Sequence, residues 1–574
     1  MRQALMRRMA AAAAAVALGG ALLQAQAGRS PVADAAMAKD PAKVRSLLKT
    51  GVDVNASQGD GMTALHWAAM NGDGALTEML LVAGANVRAT TRIGGFTALH
   101  LAAQAGRDAA VPALVKAGAP LDARTGTGAT ALMLAAASGN AALVDALAAA
   151  GAALDLTETA HGQTALMFAA AGGRAEAVKA LLARGAKVNL TSRVVDLSTV
   201  EVPEEVLQDQ ARQEQRPQAA QAAPAPARQQ PSGIAGVTRP YKYNELIGKH
   251  GGLSALHFAA RQGNEGTARA LVEAGADVNA LTAGDRTSPM VIAMINGHFD
   301  LALYLLSKGA DPNLATDNGM TPLYAVLNMQ WQPKSFYPQP RSYLQQKASY
   351  LEVMQALLEK GADPNARTTK KVWYTQYNFD LLRVDDQGAT PFWRAAYAAD
   401  IEAMRMLVKY GADPTIPTAK PAVNDRFRQG GVRSADESRD HSGLPPVPTG
   451  GPDIPPLLAA SGAGYGEGFA GNAHRFAPTG MLAAVKYLVE EIGTNPNVRD
   501  ADGNTALHHA ASRGDNEMIK YLVSKGADVT LVNRGGQTTV DMANGPVQRV
   551  QPFPETIKLL ESLGAKNNHK CVSC

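Results

Sequence analysis

Three groups of residues have the types and spacing to do chemistry. His66, His100, His257 and His508 each stand fourth in a Thr-Ala-Leu-His or Ser-Ala-Leu-His tetrapeptide, and imidazole is both a frequent metal ligand and a proton shuttle. A zinc site needs three or four ligands converging on one point. These four recur at the period of a repeat, about 33 residues or more apart, so they read as structural. Gly466-Glu467-Gly468-Phe469-Ala470-Gly471 satisfies the phosphate-cradling GxGxxG pattern, but that motif works between a strand and a helix of a βαβ unit. None surrounds it. Cys571 and Cys574 are the only cysteines. A lone CxxC can close a small disulfide in an oxidising compartment, open a haem-attachment signature, or serve as a thiol or metal pair. Haem attachment needs a His directly after the second Cys, whereas His569 lies upstream. No P-loop, zinc-protease, nucleophile-elbow or paired-carboxylate pattern occurs in a workable setting. The expectation is a chain with no catalytic site and no cofactor, with covalent haem at Cys571 and Cys574 as the marginal alternative.

The elements that carry these residues repeat. The anchors begin at Thr63, Thr97, Thr130, Thr164, Ser254, Ser288, Thr321, Thr390 and Thr505. A second marker follows each by roughly half a period, as in Val82-Ala-Gly-Ala-Asn-Val87, Glu273-Ala-Gly-Ala-Asp-Val-Asn279 and Ser307-Lys-Gly-Ala-Asp-Pro-Asn313. Aromatics are 5% of the chain against 46% hydrophobic residues, so the apolar content is mostly Ala, Leu and Val, which suits thin layers of closely packed helices. Gly84, Gly118, Gly185, Gly275, Gly309, Gly361, Gly411 and Gly526 follow helical apolar patterns, where a residue in the left-handed region ends a helix.

This pattern resembles the ankyrin repeat, with degenerate copies at Pro455 and Thr538 and the second half of an opening repeat over 33–55. The resemblance implies an all-α solenoid of helix-turn-helix repeats with β-turn fingers. It implies that the anchor His bonds the turn to the neighbouring repeat, and that a protein partner lies in the concave groove. Partner contacts in such repeats come from the residue before the anchor and the two before the mid-repeat Gly. Carried over, these are Met62, Met70, Asn71, Phe96, Gln104, Ala105, Gln163, Leu253, Arg261, Gln262, Asn504, Ser512 and Arg513. Trp67, Phe168 and Phe258 fall in a framework slot.

Anchor spacing widens after Thr164, Thr321, Thr390 and Pro455, which marks insertions. The expected organisation is a leader over 1–27, an N-terminal array over 33–192, a disordered Pro/Gln/Ala-rich insertion over 193–249, and a central array with an aromatic insertion over 250–416. A polar, mobile Pro/Gly-rich insertion over 417–453, C-terminal repeats over 454–566 and a CxxC tail over 567–574 complete it. The break after Thr191 would separate two arrays that bind independently, and the tail, with nothing apolar to dock, would be mobile. Trp331, Phe336, Tyr337, Tyr343, Trp373, Tyr374 and Tyr377 either order their loops or offer anchors to a partner.

Arg2, Arg7 and Arg8, the apolar run from Ala10 to Leu23 and Ala25-Gln26-Ala27 have the form of a secretory leader. The run is too short to span a bilayer, and no later segment spans. Removal of 1–27 strips three of the cations behind a net charge of +4 and leaves a nearly neutral protein, which argues against nucleic acid as partner. The expectation is an exported, periplasmic or secreted binding scaffold. An electron-transfer or thiol-redox protein presenting the CxxC tail is the alternative.

Overall fold

Each repeat begins where an extended Thr turns into a helix. In the computed structural model Thr63 lies at φ −98°, ψ 170°, and its side chain accepts a hydrogen bond from the His66 amide to start the helix Ala64–Asn71. Gly72, at φ 75°, stops it in the left-handed region, which a Cβ disfavours. Asp73 then caps the second helix, Gly74–Val82, by accepting from the Leu76 amide at 2.8 Å. Leu65, Ala68 and Ala69 of the first helix and Leu76 and Leu80 of the second are buried. First helices of successive repeats pack directly on one another, which the alanines permit. The chain is therefore an all-α repeat stack, described here for residues 30–199, 234–239, 241, 243–332, 341–372, 384–422, 440–465, 475–545 and 551–571. It divides into an N-terminal unit, Met1–Arg193 with Gly252–Asp277, and a C-terminal unit, Val194–Gly251 with Val278–Cys574.

Two ladders of hydrogen bonds join the repeats. Along the finger tips of the N-terminal unit the amide of Arg92 donates to the Asp60 carbonyl at 2.8 Å, Gly126 to Gly94 at 2.8 Å, Thr159 to Thr127 at 3.2 Å and Arg193 to His161 at 2.7 Å. The Asn that ends the second marker forms the other ladder. Asn365 donates through Nδ2 to the Gly411 carbonyl at 2.9 Å and accepts at Oδ1 from the Asp413 amide at 2.7 Å. Asn55, Asn189, Asn279, Asn313 and Asn497 make the same pair of bonds to the following repeat.

The insertion after Thr191 does not break the stack. Asn264 donates to the Ala170 carbonyl at 3.2 Å, Asn189 reaches Gly275 and Asp277, and the Ser192 amide donates to the Leu253 carbonyl at 2.9 Å. The repeat ending at Asp277 thus continues the array that precedes the insertion, and the division between units falls after Asp277 rather than across 193–249. Interface bonds depend on where a repeat sits, while loop closure costs only about 0.6 kcal/mol per doubling of length. Part of the insertion is ordered. Strand β1, Val194–Asp196, pairs antiparallel with β2, Lys249–Gly251, with Val194 opposite Gly251. The Pro/Gln/Ala run at 200–233 lies outside the described residues.

The described ends of the 417–453 insertion are also held. Ala419 pairs with Pro452, the His441 amide donates to the Arg534 carbonyl at 3.1 Å, and Arg534 donates to the Pro445 carbonyl at 2.6 Å and bonds Asp440. Residues 423–439 are outside the description.

The tail is docked, contrary to the expectation of mobility. Thr538 Oγ1 donates to the Lys566 carbonyl at 2.6 Å, Gln537 Nε2 to the Lys570 carbonyl at 2.9 Å, and the Asn568 and Lys570 amides donate to Asp541 Oδ1 at 3.2 Å. Polar side chains of the last repeat grip the tail backbone, so no apolar anchor is needed.

The anchor histidines belong to this frame. In His66 the ring Nδ1 accepts from the Thr63 amide at 3.1 Å, which leaves Nε2–H to donate to the Phe96 carbonyl at 3.0 Å. His100 reaches the Ala123 carbonyl at 2.9 Å and His508 the Gln537 carbonyl at 3.3 Å in the same way. His257 Nδ1 accepts from the Ser254 amide at 3.1 Å. Such a ring must stay neutral, and burial lowers the pKa of His66 and His100 and pushes His508 down to about 4, with His509 beside it adding to the shift.

Two outcomes follow from these bonds. Asn189→Ala and Asn365→Ala should each lower unfolding stability by about 1–2 kcal/mol, the value of two lost hydrogen bonds. Chemical denaturation checks this, and a neutral Asn189→Ala would mean that the stack breaks at the insertion. For His508 the folded pKa lies below the unfolded value of 6.5, so its stabilisation is fully present above pH about 6.5 and is lost as pH falls toward 4. Asp386, raised to about 7 by burial with Asp385 adding to it, slopes the other way, so the difference between proteins isolates the histidine. The stability gap between wild type and His508→Gln should shrink by about 2 kcal/mol between pH 7.5 and 4.5. A gap independent of pH would refute the neutral-ring assignment.

Candidate functional site: the finger and first-helix face

A first helix offers side chains to solvent only where no neighbour covers it, at its last residues and at the residue before the anchor. Gln104, Ala105, Arg261 and Gln262 are exposed there, and Met70, Asn71, Phe96, Gln163 and Leu253 are half-buried. Several of these also brace the frame. Asn71 Nδ2 donates to the Ala36 carbonyl of the preceding repeat at 3.3 Å, and the Phe96 ring meets His100 edge-on at 6.2 Å between centroids. Arg261 lies over the Phe258 ring at 5.1 Å, and burial lowers its pKa.

Four of the expected contacts are turned inward. Met62 is 7% exposed. Asn504 is equally buried; it donates to Asp500 at 3.0 Å and accepts from Asn533 Nδ2 at 2.9 Å. Ser512 Oγ donates to the His509 carbonyl at 2.9 Å. Arg513 spends its guanidinium on the Ser461 carbonyl and, at 3.1 Å, on Asp515. Of the expected contacts, those left open to solvent all lie in the N-terminal unit. Of the three residues in the expected framework slot, Phe258 is 4% exposed, while Trp67, whose Nε1 donates to Gln58 at 2.8 Å, and Phe168 are half-buried.

In the C-terminal unit the aromatic residues that can be placed order their own segments. Trp331 Nε1 and Tyr350 Oη both donate to Asp400 Oδ2 at 2.8 Å, while Asp400 Oδ1 caps the second helix at Ala403. Arg475 donates to the Tyr343 hydroxyl at 2.6 Å. Phe336, Tyr337, Trp373, Tyr374, Tyr377 and the Gly466–Gly471 motif lie outside the described residues. Arg394 is buried, donating to Asn328 Oδ1 and the Trp331 carbonyl at 2.8 Å each, and burial lowers its pKa. A cleft of about 320 Å³ runs between the first insertion and nearby fingers, but its charges, Asp196, Glu245, Asp285 and Asp317 with Lys249 and Lys370, are of both signs. Among the described residues no group of His, Cys, Asp and Glu could hold a metal ion, and no helix is long and apolar enough to cross a membrane. Cys571 is disulfide-bonded; Cys574, the other cysteine, is outside the description.

Sequence reasoning missed the Asn ladder, whose signal was the Asn that closes several of the second markers, at Asn189, Asn279, Asn313 and Asn365. It also missed that Trp393, in the His slot, donates through Nε1 to the Ile454 carbonyl at 2.8 Å.

Comparison with known proteins agrees with this geometry. A family model described as ankyrin repeats in three copies matches residues 32–125, 114–192, 240–316 and 473–571, and a single ankyrin-repeat model matches 387–419. The chain is 26% identical over 326 residues to the E3 ubiquitin-protein ligase KEG of Arabidopsis thaliana, covering 51% of this chain and 18% of that protein. It is 42% identical over 73 residues to protein phosphatase 1 regulatory subunit 27 of Mus musculus, covering 12% and 46%. With ankyrin repeat and SAM domain-containing protein 6 of Rattus norvegicus the identity is 37% over 87 residues, covering 15% and 10%. The chain spans less than half of each of these relatives. With the repeat frame read from its hydrogen bonds and matched over most of its length, the chain belongs to the ankyrin-repeat family.

Proposed function

We propose that this chain is an exported, non-catalytic scaffold that binds a protein partner across the fingers and first helices of its N-terminal unit. One observation carries the reading: the side chains with chemical potential are spent on the frame, while Gln104, Ala105, Arg261 and Gln262 stand exposed on a single face. The rings of His66 and His100 each hold two hydrogen bonds and stay neutral, which leaves them poor proton donors and ligands. The ankyrin relatives support a protein-interaction role, and the basic, apolar and small-residue segments of 1–27 support export.

Ala105→Trp should fill the face without disturbing the core and weaken capture of the native partner at least about tenfold, as blocking an interface centre does. Val82→Trp, on a second helix at a residue 85% exposed, should leave capture unchanged. Equal capture by both variants would remove the proposed face. The reading requires no cofactor, and the redox alternative would need haem or a cycling thiol pair at Cys571 and Cys574. Protein purified from the periplasm or medium should begin at Gly28 and show no haem absorption band. A retained Met1, or a haem band lost in Cys571→Ser, would overturn the respective half of that statement.

A further inference from the structure

The charges of the N-terminal unit are sorted by face. Its described ion pairs all sit on second helices: Lys179 with Glu176 at 2.8 Å, Arg184 with Asp145 at 3.0 Å and Arg269 with Glu265 at 2.5 Å. The opposite half has unpaired guanidiniums. Arg92 and Arg193 stand exposed at finger tips, and Arg107 and Arg174 stand exposed on the loops that join first to second helices. Among the described residues none of the four meets a carboxylate. Arg107 lies across Gly72 and Arg174 across Gly139. Arg174 Nε donates to the Ala137 carbonyl at 3.2 Å, and Arg193 reaches the Ala160 carbonyl at 3.5 Å.

The nearby carboxylates keep their charge but are directed at backbone amides, and none of them is paired with these arginines. Asp60 accepts from Met62 at 2.9 Å, Asp122 from Ala153 at 3.0 Å and Asp155 from Lys187 at 3.0 Å. Glu158 accepts from Ala160, His161 and Gln163, and although burial opposes it, these amides hold its pKa below the usual value. Asp108, beside Arg107, is the exposed carboxylate that remains on the loop rim.

We propose that this face, taken as the binding face above, recognises an extended polypeptide segment of the partner that carries several carboxylates. A first helix of seven or eight residues separates the two cationic rims by about 11 Å at 1.5 Å per residue. Helices of successive repeats lie about 10 Å apart, so the path from Arg92 to Arg193 is roughly 30 Å, the length of about nine extended residues at 3.3 Å each. Guanidiniums pair with carboxylates and phosphates alike, but a duplex carries a charge about every 1.7 Å. Four cations spread over that path match a peptide with a few acidic residues and are too sparse for nucleic acid. Ile93, 76% exposed beside Arg92, adds an apolar contact at the finger end.

The test uses the full chain and fluorescein-labelled twelve-residue peptides of alternating Glu and Ala, or Lys and Ala, with a twelve-base DNA duplex as the other anion. The Glu peptide should bind, more weakly as salt rises, and the Lys peptide should not. Replacing Arg92, Arg107, Arg174 and Arg193 together with Gln should weaken Glu-peptide binding at least about tenfold, in keeping with loss of complementary charge. Lys116→Gln, on a second helix, should change it less than about threefold. Thermal unfolding of both variants should match wild type, and Arg92→Gln with Arg193→Gln alone should show an intermediate loss. Unchanged binding by the four-site variant, equal binding of the Lys peptide, or tighter binding of the duplex would overturn the proposal. If the native partner is lost with Ala105→Trp but kept by the four-site variant, the acidic-segment proposal fails and the protein-binding reading stands. If Ala105→Trp has no effect either, that reading falls with it.

Discussion

The structure depends on the hydrogen bond from a finger amide of one repeat to a finger carbonyl of the one before. A finger is a tight turn whose outward N–H and C=O groups have no partner inside their own repeat. The next finger supplies it, as Thr159 does for Thr127 at 3.2 Å and Arg534 for Asp502 at 2.9 Å. A repeat is therefore incomplete alone, in its polar groups as well as its apolar face, and stability is a property of neighbours. The end of the array needs an answer to the same problem. Lys566 to Lys570 gives it, laying its backbone against the last finger and bonding Gln537, Thr538 and Asp541.

The slot three residues after the helix cap shows how one requirement is met by different chemistry. It must satisfy the cap of its own helix and reach across to the following repeat. A neutral His does both, accepting at Nδ1 and donating at Nε2. Trp393 keeps only the donor and spans the gap with a longer ring. Tyr324 donates to the Asp386 carboxylate at 3.1 Å instead of to a carbonyl. In the first helix of the last repeat, Thr539–Ala543, Asp541 reverses polarity, accepting from its own cap at 2.8 Å and from tail amides on the other side. The reversal suits a neighbour that presents N–H groups, and it explains why a tail of polar residues docks at all.

The repeat period, the order of the helices, the Gly stops and the structural use of the four histidines were legible in the sequence because they are local. Each needs only the residues of one repeat and a 3.6-residue apolar pattern. Continuity across the first insertion was not legible. It depends on Asn264 and Asn189 meeting Ala170 and Gly275, contacts that no spacing in the chain announces. The same holds for the site. Slot position separated Gln104 and Gln262 from the framework at Trp67, but it could not show that Asn504 faces Asp500 and Asn533 or that Arg513 is drawn into the Ser461 carbonyl. The inward turn of Arg513 comes from the degenerate repeat at Pro455, whose Gly462 leaves room for the guanidinium directly over it.

The placement of insertions and of charge follows from the same division of labour. Interface bonds occupy the base of each finger, the marker Asn and the first-helix cap, so these positions admit little change. At finger tips the joining bonds run through backbone amides, so the outward side chains of finger tips, interhelical loops and first-helix ends carry less of that load. The first insertion leaves from a finger and returns to one, sealed by bridging of Thr191 to Ser254 and by the bond of Ser192 to Leu253. Its closure entropy, a few kcal/mol on a logarithmic scale, is small beside an interface that also buries Leu166, Leu181, Leu256 and Leu271. The unpaired arginines of the N-terminal unit occupy this same set of positions. Arg174 and Arg193 each still reach a carbonyl of the preceding repeat, but most of the side-chain surface there is not needed to join repeats, so this face has more room to vary than the finger bases and the marker Asn.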